Sequence, residues 1–242
     1  MSNHCYDATQ QMPRIIPQPY LHISRAFFGV VPEDIELRAR NLAGVINDFR
    51  QDHGKAIAFH ERSGTFNDIK NYVDREELAF SHDIVKLIDG AKREIIKLHP
   101  RIAAKQLREK LLAFIEETFE PFTALAIICA VAQTLKIDLT GEECIEKGLA
   151  MNLEFPLSVG FYRWISYKIV SDNIDIQSKT SKEKRWNWIW DYQVSFLMSH
   201  NTVDQKQVVL VTSDKDIVQM LTDFGYESKV LNVTEYLNYL NN

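Results

Sequence analysis

The stretch "VVLVTSDKDIVQML", Val208 to Leu221, runs β-branched and aliphatic residues directly into two aspartates, Asp214 and Asp216. Read outward, it is a strand, a polar turn and an amphipathic helix, and a second short strand candidate, "SKVLNV", follows before a last helix, "TEYLNYLNN". Strand, helix and strand in that order predict a parallel pairing.

Upstream, "NHCYDATQ" is a strand candidate ending at Asp7, and the prolines of "MPRIIPQPY" predict an extended connection. "PEDIELRARNLAGVINDFRQDHG" places apolar residues at helical spacing between Pro32 and Gly54. "KAIAFHE", Lys55 to Glu61, reads as a second strand, and "RSGTFNDIKNYVDREEL" as a turn entering a helix with Asp68 in its first turns. From about Ser81 to Ser171 the pattern is helical throughout, with Pro121 ending or kinking one helix. "WNWIWDYQVSFLMSH" is a further helix, on which Trp186, Trp188 and Trp190 cannot share one face. Strands near the N-terminus, near Lys55, at Val208 and at Val230 together predict an α/β fold of three layers around a mainly parallel sheet. Residues 1–80 and 176–242 would form the two parts of that domain, and 81–175 a helical insertion.

Composition narrows the function. With 28 basic and 33 acidic residues, the net charge of -5 excludes a protein that coats nucleic acid by global charge, so such a contact must use a local patch. "SDNIDIQSKTSKEKRW" is the most polar segment; Lys179, Lys182, Lys184 and Arg185 are its candidate phosphate contacts, against the plainer reading of a solvated linker. The cysteines Cys5, Cys129 and Cys144 are odd in number and lack zinc spacing, which argues against a disulfide framework and for a reducing, cytoplasmic setting. The N-terminus has no signal-peptide pattern. The apolar run Phe122 to Leu135 covers 14 residues, fewer than the roughly 20 of a membrane span, and predicts a buried core helix and no membrane association.

Ligands of parallel α/β folds bind beyond the carboxyl ends of the strands, where this reading places Asp7 and Asp214, with Asp68 at the same edge. Asp191 lies on the helix preceding the Val208 strand. Carboxylates gathered there repel one another unless a hard cation offsets the charge, and Mg²⁺ or Mn²⁺ can activate water against a phosphodiester. The plainer alternative is that Asp214 caps the "IVQML" helix.

The tail, with Asp191, Thr212, Asp214, Asp216 and Glu235-Tyr236-Leu237, resembles the C-terminal half of a PIN domain. In the N-terminal half, "CYDAT" offers Asp7 for the first acid; a second alignment, on "YLHIS", puts His22 there. Asp68 would be the next acid, with Glu61 in reserve. The resemblance implies metal-dependent hydrolysis of RNA, with Asp7, Asp68, Asp191 and Asp214 as the catalytic, metal-binding set and Asp216 supporting them. It also implies that Thr212 or Ser213 orients the carboxylates through hydrogen bonds. A toxin or defence role would suit such an enzyme, and the resemblance leaves room for a protein regulator and a homo-oligomer. The alternative is an inactive PIN-like module that binds a protein or nucleic acid. A Toprim-like nuclease would also carry Asp-x-Asp after a strand, but the upstream Glu-Gly strand turn of that fold is missing.

Overall fold

The computed structural model describes residues 19–30, 41, 44–199, 202–203 and 206–241. The chain divides into two compact units, Met1–Glu76 and Glu77–Asn242.

The first unit contains α1 (Pro19–Phe28), a helical stretch over 44–51, α2 (His53–Arg62) and the start of α3 (Thr65–Leu98). "KAIAFHE" is therefore helix rather than strand. Asp52 decides this locally: its carboxylate accepts from the Lys55 N–H at 3.0 Å and caps α2. Ala56 and His60, four residues apart, then share the buried face. His60 meets Asp48 at 3.2 Å and stacks on Phe49, with a ring separation of 5.8 Å. Gly64, at φ +76°, turns the chain into α3.

In the second unit, the rest of α3 carries a buried stripe of Phe80, Ile84, Ile88, Ala91 and Ile95 at three- and four-residue spacing. α4 (Ala104–Glu117) ends at Thr118, and α5 (Phe119–Leu135) leaves it at 77°. Pro121, in the first turn of α5, forbids a continuous helix because its ring would clash with the Glu117 carbonyl, four residues back. Ala124, Ile128, Val131 and Ala132 of α5 are buried, as expected of a core helix. Among the described residues no single helix is long and apolar enough to cross a membrane.

α6 (Gly141–Glu154) starts with a reciprocal cap between Thr140 and Glu143. α7 (Pro156–Ser171) opens on proline and buries residues on every side, including Leu157, Val159, Phe161, Tyr162 and Ile165. It is the central helix, packing on α4, α5 and α8 (Lys182–Met198). Ser195 of α8 donates to Ser158 of α7 at 3.1 Å, satisfying two buried hydroxyls.

The strands are short. β1 (Thr202–Val203) pairs antiparallel with β2 (Lys206–Gln207), and β3 (Leu210–Val211) pairs parallel with β4 (Val230–Leu231), in register Leu210 to Val230 and Val211 to Leu231. α9 (Lys215–Asp223) connects β3 to β4, and α10 (Val233–Asn241) follows. The local order strand, helix, strand is therefore present, but the three-layer α/β fold is overturned: the described chain is mostly helical, with two sheets of two strands each. The Lys55 segment supplies no strand, the expected N-terminal strand lies outside the described residues, and the apolar mass sits on helix stripes.

Phe224 and Lys229 help to fasten this terminal segment to the helices. The Phe224 ring covers Gly160 so closely that a Cβ there would lie 2.3 Å from its Cε1. Lys229 donates through Nζ to the Met198 carbonyl at 3.0 Å.

Candidate acidic site at the end of β3

Past Val211 the ladder continues for one more bond, Thr212 N–H to Leu231 carbonyl at 3.1 Å, and then the backbone turns. Thr212 Oγ1 accepts from the Asp214 N–H at 3.0 Å. Asp214 Oδ1 accepts in turn from the N–H groups of Asp216 and Ile217, at 2.9 and 3.3 Å, and so caps α9. Thr212 thus fixes the turn backbone, not a neighbouring carboxylate. Ser213 is exposed beside it, and Asp216 is exposed in the first turn of α9, where the helix dipole favours an acid.

Asp191 is half-buried on α8. Burial first, then the charges of Asp214 and Asp216, push its carboxyl up to about 7. Among the described residues it takes no hydrogen bond and no cation. Asp191 therefore lies within electrostatic reach of Asp214 and Asp216. Asp68 is exposed in the first turn of α3, in the other compact unit. Glu61 is exposed on α2, His22 is half-buried on α1, and Asp7 lies outside the described residues. No group of three or more His, Cys, Asp or Glu among the described residues is arranged to hold a metal ion.

The basic patch also needs correction. Lys179, Lys182 and Lys184 are exposed, but Arg185 is 5% exposed and donates through one guanidinium nitrogen to the carbonyls of Ile176 and Ser178. It ties the 172–181 loop to α8 and is not available to a phosphate. Trp186 and Trp190, 45% and 39% exposed, lie one helical turn apart with ring centres at 6.1 Å, while Trp188 is buried. Spacing i, i+4 marks that pair in the sequence; only the structure shows which face it occupies. Trp190 immediately precedes Asp191.

The sequence reading missed Cys129 and Cys144, whose sulfurs stand 3.3 Å apart across α5 and α6. Thr140, the cap of α6, marks where the chain turns between α5 and α6, but local spacing does not give the register that sets sulfur against sulfur.

Compared with protein-family models, curated proteins and solved structures, the chain matches none. With a mostly helical architecture and no metal-holding group among the described residues, the resemblance to a PIN domain is not upheld.

Proposed function

We propose that the chain hydrolyses phosphodiester bonds, RNA being the substrate class, with Mg²⁺ or Mn²⁺ recruited at Asp191 and Asp214. One observation carries the reading: the half-buried Asp191 carboxyl, with no hydrogen-bond or cation partner among the described residues, feels the charges of two further acids at a strand end. That arrangement is costly for folding, and perturbed, uncompensated groups of this kind concentrate at functional sites.

The acids do not make a closed cage, so the fit is to a cation held by one or two carboxylates together with water and a substrate phosphate, which is the habit of Mg²⁺. When bound, such an ion supplies positive charge to the phosphoryl oxygens. The chain's own groups do the rest. Asp214 spends Oδ1 on the α9 cap, which holds its carboxylate in place. Asp191, whose carboxyl burial and then Asp214 and Asp216 push up to about 7, would give up that proton to a bound cation and so couple ion binding to pH. Trp186 and Trp190 offer faces on which bases stack, and Lys184 adds positive charge at the start of the same helix.

The exposed tryptophan pair also favours a second reading, a module that binds single-stranded nucleic acid without cleaving it. The test separates them. Labelled single-stranded RNA is incubated with the protein and Mn²⁺, with and without chelator, beside Asp191→Asn and Asp214→Asn; asparagine preserves the cap, so the second variant loses charge and not fold. Chelation and either substitution should each slow cleavage by about a hundredfold or more. RNA binding without cleavage supports the module. Neither RNA nor DNA cleavage, together with no heat of Mn²⁺ binding, overturns the hydrolase.

A further inference from the structure

We propose that Cys129 and Cys144 form a reversible dithiol–disulfide site that clamps the α5–α6 hairpin and exchanges with small disulfides such as oxidised glutathione. The geometry is built by the seam between the two helices. Cys129 donates its S–H to Cys144 at 3.3 Å. Four residues further along α6, Gly148 meets α5 so closely that a Cβ would lie 3.1 Å from the Leu125 Cα. Leu125 is itself four residues before Cys129, so the two pairs are successive rungs of one antiparallel contact. Gly148 admits backbone-close packing, and the register then places sulfur against sulfur. The bonded distance is about 2.0 Å, so closure moves the sulfurs together by about 1.3 Å, within the reach of side-chain rotation.

Access is provided as well. Cys129 is exposed and Cys144 half-buried, so a small disulfide can reach the seam. Desolvation of its sulfur at the seam and then the adjacent Cys144 thiol push Cys129 up to about 11, and Cys129, which holds its proton as the donor of the S–H bond, leaves the opening attack to Cys144. In that step Cys144 loses its proton to solvent, its sulfur attacks one sulfur of oxidised glutathione, the glutathione S–S bond breaks, and one glutathione thiolate leaves and takes up a proton. Cys129 then loses its proton and attacks the Cys144 sulfur of the mixed disulfide, releasing the second glutathione. Two protein thiols are oxidised and one glutathione disulfide is reduced to two thiols.

The test uses the full chain with Cys5→Ser, which removes the third cysteine. Treated with oxidised glutathione, quenched by alkylation and digested without reductant, it should yield a peptide joining Cys129 to Cys144. The intact mass should fall by two hydrogens, retain no glutathione, and recover with dithiothreitol. The thermal midpoint should rise by roughly 5–10 °C on oxidation, the loop being short and the unit large. Gly148→Val, checked for helicity by circular dichroism, should slow cross-linking about tenfold or more with both thiols still alkylated, because it forces the seam apart. Cys129→Ser, which cannot clash, should keep a glutathione adduct on Cys144 that the paired chain sheds. Stable glutathione adducts without a cross-link, a cross-linked dimer, or a cross-link that leaves the midpoint unmoved overturns the proposal.

Discussion

Asp191 separates the two things an acidic residue can do at the end of a strand. Asp214 and Asp216 are explained by local structure, one as the cap of α9 and the other as an acid at the positive end of its dipole. Asp191 has no such explanation. Its carboxyl is held at about 7, against an ordinary value near 4, by burial and then by those two neighbours. Between these pH values the native chain keeps a proton that the unfolded chain has released, so each rise in pH favours unfolding; stability falls from about pH 4 to pH 7 and then levels. The shift alone would correspond to about 4 kcal/mol, but solvent still reaches the group, and on the order of 1–2 kcal/mol is the expected cost above neutrality. Asp191→Asn should abolish this slope, matching the wild type near pH 4 and exceeding it by that amount at pH 8. Urea midpoints across the pH range measure it, and parallel curves for the two proteins would rule out a strained Asp191. If the hydrolase reading holds, the variant gains stability and loses activity together.

At the level of elements, the most polar segment of the chain teaches where composition misleads. Lys179, Lys182, Lys184 and Arg185 read as one basic stripe, yet a count of charges does not say where the guanidinium hydrogens go. Arg185 reaches back across the 172–181 loop to the carbonyls of Ile176 and Ser178, and Ser181 donates to the Asp175 carbonyl at 2.7 Å. The loop is a fixed strap between α7 and α8. Arg185→Ala strips two carbonyls of a charged donor, so it should cost about 1.5–3 kcal/mol in chemical denaturation and leave the affinity for single-stranded RNA unchanged once folding is accounted for. Lys184→Ala should do the reverse, moving affinity but not stability. An Arg185 variant of normal stability with weakened RNA binding would restore the phosphate role. The same limit governs α2. "KAIAFHE" is too short for periodicity to separate strand from helix, and the deciding hydrogen bond comes from Asp52, outside the run.

For the whole molecule, what could be read was whatever depends on neighbours in sequence. The helical middle, the break at Pro121, and the order of β3, α9 and β4 all follow from local spacing. A sheet does not, because each strand needs a partner supplied from elsewhere, and among the described residues β3 finds only β4. How the terminal segment attaches to the helices was equally hidden, since it turns on a glycine inside α7. Gly160 looks like a weak point in a helix, where alanine would ordinarily gain up to about 1 kcal/mol. The structure reverses that sign. An added Cβ would meet the Phe224 ring at 2.3 and 2.5 Å, and the ring is also backed by the Arg163 guanidinium at 5.9 Å from its centre. Gly160→Ala should therefore destabilise by about 1–3 kcal/mol through forced movement of that ring. In a Phe224→Ala background the overlap is gone, and the same glycine substitution should become neutral or stabilising, so the two changes must be non-additive. Urea unfolding of the four proteins gives the coupling directly. Additive effects would mean that Phe224 does not sit on α7, and the terminal segment would then need another anchor.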